Sequence, residues 1–132
     1  MAKHAEGTFT LTGFDEQTSA ELADGAKVTT AAIGQDYEGG FEGHGASDNV
    51  MAYRPDGTAV IVSFMRMSGS LDGQRGTFVV EERGTYDGTT ARAEWTVVSG
   101  SGTDGLTGLT GTGSSEAPHG PNGTWSLHYD LG

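Results

Sequence analysis

The chain has 132 residues, 23 of them glycine and none cysteine, with 34% apolar and 19% charged residues. That size suits one domain over 1–132 with its own core, and the missing cysteines exclude disulfides, thiolate metal sites and a cysteine nucleophile. Seven Lys and Arg against 18 Asp and Glu leave a net charge of −11, which repels phosphate backbones and anionic lipid, so neither nucleic acid nor a membrane is an expected partner.

The first residues, Met1 to Glu6, lack the apolar run of a signal peptide. No stretch approaches the roughly 18 apolar residues of a membrane span. The expected setting is cytoplasmic. Helix signals are thin: Asp15 to Asp24 has too narrow an apolar stripe to pack and reads as a loop with at most one helical turn. The rest alternates, is rich in Thr, Val and aromatic residues, and is broken by glycine-containing turns. Strands are expected over 5–14, 26–38, 41–54, 58–71, 74–86, 90–99, 108–115 and 123–131. Eight antiparallel strands in a row, joined by short turns, predict an all-β, up-and-down barrel, whose closure removes exposed edges.

The turns fix register. Glu38-Gly39-Gly40-Phe41 reads as a two-residue hairpin, Pro55-Asp56-Gly57 as a type I turn with a following glycine, and Asp72-Gly73 and Asp87-Gly88 as type I′ turns. The first of these pairs His44 with Gln35 and Glu42 with Tyr37. The second pairs Met51 with Ile61 and Tyr53 with Ala59. The third pairs Met67 with Phe78, Met65 with Val80 and Ser63 with Glu82. The fourth sets Glu82 against Ala93, Val80 against Trp95 and Phe78 against Val97. One face then carries Met51, Tyr53, Ile61, Met65, Met67, Phe78, Val80, Trp95 and Val97, and the other Arg66, Glu81, Arg83, Arg92 and Glu94, with Val62 and Phe64 among them. Trp125, Leu127, Tyr129 and Leu131 continue the apolar face on the last strand. The apolar sets are assigned to the interior. Val62 and Phe64, left outside, call for cover, so a homo-oligomer is expected.

Glu82 is the exception on the apolar face. A carboxyl taken out of water there titrates higher, as a general acid or base requires; the competing reading places it at a wet barrel mouth. His44 shares a face with Glu42. That face points out if the strand alternates strictly to Met51, and in if a bulge interrupts it near Ser47-Asp48-Asn49. An inward His44 is a candidate proton shuttle; a surface histidine is the alternative. Met51, Met65, Met67, Phe78, Trp95, Trp125 and Tyr129 are candidates to line a ligand cavity, with Gly43, Gly45, Ser63 and Ala93 leaving room, although such residues also simply fill cores. Gly100 to Gly105 matches G-x-G-x-x-G, but the segment after it cannot form the helix that would hold a pyrophosphate, so a barrel corner explains it better. His4, His44, His119 and His128 lack metal-ligand spacing, and no metal is expected.

Several blocks carry a resemblance. Gly69-Ser-Leu-Asp-Gly73, Gly76-Thr-Phe-Val79, Trp95-Thr-Val-Val-Ser-Gly-Ser-Gly-Thr103 and Gly105-Leu-Thr-Gly-Leu-Thr-Gly111 resemble signature blocks of the bacterial domain-of-unknown-function family 3224, as do Met51-Ala-Tyr53 and Leu127-His-Tyr-Asp-Leu131. The likeness spans nearly the whole chain. It implies an eight-stranded barrel of the allene oxide cyclase type, often oligomeric. Related barrels include cyclases of reactive hydrophobic substrates, but no motif here matches their catalytic residues. Glu82 departs from the resemblance, standing where the family pattern often carries a histidine.

The combined expectation is a cofactor-independent cyclase or isomerase of secondary metabolism. It would act on an apolar, polyketide- or fatty-acid-derived molecule held inside the barrel. Glu82 would move a proton, and Tyr53, Ser63 and His44 would hydrogen-bond a substrate oxygen. The alternative is a lipocalin-like carrier that needs the cavity but no reactive carboxyl.

Overall fold

In a computed structural model, which describes residues 2–118 and 121–132, the chain forms eight strands. They are β1 (Lys3–Glu21), β2 (Lys27–Gly39), β3 (Phe41–Tyr53), β4 (Ala59–Leu71), β5 (Gln74–Tyr86), β6 (Ala91–Val97), β7 (Thr110–Ala117) and β8 (Asn122–Asp130). Each pairs antiparallel with the next and β8 returns to β1, closing an up-and-down barrel. The loop expected across His119-Gly120 lies outside the described residues.

Two turns come out as read. Asp72 and Gly73 both take positive φ, 51° and 83°, which is what a type I′ turn needs, and β4–β5 pairs Met67 with Phe78 and Ser63 with Glu82. The Pro55 turn pairs Met51 with Ile61 and Tyr53 with Ala59. Two others differ from that reading, and each changes the register. At Asp87 only Gly88 has positive φ, because the Asp87 carboxylate organises a wider loop. It accepts the backbone N–H groups of Thr89 and Thr90 at 2.9 and 2.8 Å. The strands therefore close at Tyr86↔Ala91, and Glu82 faces Trp95 rather than Ala93, a shift of two residues that keeps the same face. At Gly39-Gly40 the shift is one residue. His44 pairs with Asp36, and Tyr37 with Gly43, so the two faces exchange.

Those bonds from Thr90 and Thr89 hold the Asp87 carboxyl down at about pKa 2, with Arg92 helping. A carboxyl depressed in the fold adds stability above the ordinary carboxylate range and loses it as pH falls through the depressed value. Asp87→Asn is therefore expected to lower Tm at neutral pH and to converge on the parent near pH 2. Identical melting curves at neutral pH would mean that the charge does not hold this loop.

The Asp15 to Asp24 segment is the other departure. β1 does not stop at 14 but runs on to Glu21, absorbing bulges between Leu11 and Gly13 and between Thr18 and Ala20, and a single 3₁₀ turn at Ala23–Gly25 follows. Bulges let a strand bend without leaving its partner. The β1–β8 ladder ends at Thr10↔Asn122, with one further bond from Leu11 N–H to the Pro121 carbonyl. Beyond it, among the described residues, β1 pairs with β2 alone. The last stretch of β1 thus keeps an open edge that a fully closed barrel would lack.

The interior divides in two along the barrel axis. At the end bearing the Gly39 and Asp72 turns it is solid. Phe41, Met65, Met67, Leu71, Phe78, Val80 and Leu127 are at most 2% exposed there. The β6–β7 connection plugs this end. Its Ser101 and Thr103 hydroxyls bond the backbone N–H groups of Val79 and Thr77. Leu106, in a 3₁₀ turn over Asp104–Leu106, and Leu109 are fully buried. This is the G-x-G-x-x-G segment, so its glycines serve a folded-back plug and no nucleotide-binding helix follows. The room expected at Gly43 and Gly45 is taken. A Cβ on Gly45 would stand 2.9 Å from the Tyr37 ring, and one on Gly43 would run into the Ser68 carbonyl and the Phe41 ring. On the outside Val50, Val62 and Phe64 are exposed. No helix among the described residues is long and apolar enough to cross a membrane.

Candidate functional site

The other half of the barrel is hollow. A cavity of about 470 Å³ opens at the end bearing the Pro55 and Asp87 turns. Its wall is mostly apolar: Phe9, Leu11, Phe14, Ile33, Met51 and Ile61, with Ala91, Ala93 and Gly84 supplying the space. Of the polar groups on it, the most telling is Glu82. Alternation along β5 turns Glu82 inward between the fully buried Val80 and the open mouth. One of its oxygens accepts the Ser63 hydroxyl at 2.9 Å across the β4–β5 ladder. Burial pushes its pKa up, while the Ser63 hydroxyl and the Trp95 indole pull it back part of the way. A desolvated carboxyl holds its proton more tightly and, once ionised, is a stronger base than one in water.

The structure brings together only some of the residues expected at the site. Ser63 is buried and bonded to Glu82, so its hydroxyl steadies the carboxyl and is not spare for a substrate oxygen. Tyr53 lines the mouth, and its hydroxyl donates to Glu16 at 2.8 Å. Burial and that carboxylate lift its pKa to about 12. Thr29 donates to the same Glu16 oxygen at 2.7 Å, which fixes the rim. His44 is the clear correction. β3 alternates without a bulge, so His44 points outward, its side chain 56% exposed and 3.0 Å from Asp36. Glu42 is likewise exposed. Neither reaches the cavity.

Of the expected lining residues, Met51 is on the wall. Met65, Met67, Phe78, Trp95, Trp125 and Tyr129 are not; they fill the barrel. Trp95 and Trp125 stack nearly parallel at 6.1 Å, and Tyr37 meets both edge-on. Tyr129 reaches Asp72 at the closed end. These large rings pack because a small eight-stranded bore is narrow enough for side chains to span.

Three contributors to the site were not expected. Tyr37 is buried beneath the cavity, its hydroxyl 3.1 Å from Gln35 Oε1 and 3.0 Å from Met65 Sδ. Burial and the Glu82 charge raise its pKa well above the ordinary tyrosine value. Gln35 and Asn49 both line the cavity. The one-residue register shift at Gly39-Gly40 hid Gln35 and Tyr37; a polar Asn at an inward position of a Ser- and Gly-rich strand was the available signal for Asn49.

His4 and His128, which sequence spacing kept apart, are cross-strand partners with rings 4.5 Å apart. Among the described residues they gather no third ligand.

The family described as "Protein of unknown function (DUF3224)" matches residues 5–129. A crystal structure of a protein of unknown function from that family, from Shewanella oneidensis, superposes with a TM-score of 0.83 at 23% identity, covering 98% of this chain and 97% of that one. At that identity the likeness bears on the fold alone. No curated protein matches the chain.

Proposed function

The chain belongs to the DUF3224 family, and from the cavity its barrel encloses we propose that it binds a small, largely apolar molecule and moves a proton on it, using Glu82. The observation that carries this reading is one half-buried carboxyl, with a raised pKa and a bonded serine hydroxyl, on a mostly apolar cavity wall. The reaction class is isomerisation or ring closure. The Glu82 carboxylate takes a proton from a carbon beside an electron-withdrawing group and returns it at another atom of the same molecule. The substrate's formula is unchanged, and no oxidant or second reactant enters. The Gln35 side chain accepts from Tyr37 through its oxygen, which leaves its amide nitrogen placed to receive negative charge on a substrate oxygen. Met51, Phe9 and Ile61 hold the molecule in one fold, which lowers the entropic part of the barrier. The resemblance to cyclase-type barrels carried by the sequence blocks points the same way.

Nitrobenzisoxazole, an apolar bicycle, tests this. Removal of its ring proton by a base breaks the N–O bond and releases a coloured cyanonitrophenolate. The protein is expected to open it faster than butyrate at equal concentration. The rate should rise with pH through a midpoint above the ordinary carboxylate range, as the raised Glu82 pKa requires. A rate matching free butyrate, while the probe demonstrably binds, points to the carrier.

A further inference from the structure

One row of the cavity wall is one-sided in its hydrogen bonding. Asn49, Ser63 and Glu82 are direct cross-strand neighbours on β3, β4 and β5, all turned inward. The donors of this row are committed to the chain. Asn49 Nδ2 donates to the Ala31 carbonyl at 3.2 Å and to the Ser47 hydroxyl at 3.0 Å. The Ser63 hydroxyl donates to Glu82 Oε1. The row therefore presents acceptors alone to the cavity: Asn49 Oδ1 and the second Glu82 oxygen.

Among the described residues no fully buried side-chain nitrogen or oxygen lacks a partner. Both residues line the cavity. The Trp95 indole, near enough to Glu82 to lower its pKa, donates to the Ser115 hydroxyl at 3.2 Å. Neither Lys nor Arg is among the groups acting on Glu82. Arg92, at the rim, is occupied by Asp87 and Glu116. Gln35, the donor described above, is not part of this row: its backbone lies four residues along β2 from Ala31, the partner of Asn49, roughly 13 Å of strand.

Asn49 and Glu82 stand on either side of Ser63 in this row, and acceptors with no counter-charge repel a further acceptor. A donor set against either one replaces the water it would otherwise need. Resting on the small-molecule reading above, we infer that the ligand buries a hydrogen-bond donor, a hydroxyl or a protonated amine, against Asn49 and Glu82, and that the cavity rejects carboxylates and phosphates. A free fatty acid is therefore a poor occupant, and an apolar alcohol or amine a good one.

Four probes sharing one ring decide it: methylnaphthalene, naphthylmethanol, naphthylmethylamine and naphthoate, each titrated into the full chain by calorimetry. The alcohol and the amine are expected to bind roughly tenfold tighter than methylnaphthalene, and naphthoate roughly tenfold weaker. Asn49→Leu should bring the alcohol to within about twofold of methylnaphthalene, and Glu82→Gln should remove the amine's advantage. If methylnaphthalene binds and the donor-bearing probes gain nothing over it or over naphthoate, the inference is overturned while the small-molecule reading stands. If none of the four binds, both fall. Should a variant fail to fold, the ranking of the four probes on the parent chain decides the matter alone.

Discussion

Glu82→Gln is expected to slow the opening of nitrobenzisoxazole by at least about a hundredfold and, in the same protein, to raise Tm by on the order of 3 °C at neutral pH. The two effects share one cause. The carboxyl sits in a wall where burial favours its protonated form, so the folded chain gives up that proton at higher pH than the unfolded chain does. Between those two values the unfolded state binds fewer protons, and stability falls as pH rises. Glutamine keeps the shape and can still accept from Ser63, but it carries no charge to desolvate. The stability gain should vanish below the ordinary carboxylate range and grow as pH rises toward the raised value. Scanning calorimetry at both ends of that window, beside the rate measurement, separates a reactive carboxyl from a structural one. A Gln variant that is less stable at neutral pH, or equally fast, removes Glu82 from the mechanism.

Trp125→Ala should do the reverse, costing about 4 kcal/mol of folding free energy with little direct effect on ligand selectivity. Trp125 is 3% exposed and stacks on Trp95. Its indole N–H lies 3.2 Å from the Thr8 carbonyl and 3.3 Å from that of Glu38, so one group ties β8 to both β1 and β2. Truncation opens a hole in the solid half and leaves two carbonyls short of a donor. Trp125→Phe, which keeps a ring but loses the N–H, should fall between parent and alanine. Urea unfolding followed by circular dichroism measures both. A loss below about 1 kcal/mol for alanine would mean that the solid half is not packed as described.

Much of this architecture was legible in the chain, and the failures have identifiable causes. Asp-Gly at 72–73 could be read because both residues take the φ values that the turn type demands. The same dipeptide at 87–88 misled because side-chain bonds from Asp87 to Thr89 and Thr90 build a wider loop, and nothing local to the dipeptide announces that. A slip of two residues there left Glu82 on its proper face. A slip of one at Gly39-Gly40 was costlier, since it hid Tyr37 and Gln35 and left the side of His44 undecided. Which inward residues line the hollow and which fill the solid half was not legible at all. It depends on how ring volumes from five or more strands add up at one level of the bore, a sum that no single strand contains.

The open stretch of β1 has a consequence of its own. Among the described residues, β1 past Leu11 has no ladder partner on the β8 side, so this is the part of the sheet where hydrogen exchange should be quickest and where a stray strand could anneal. Asp15, Glu16 and Glu21 lie along it, and a second molecule of like charge approaching that border meets repulsion first.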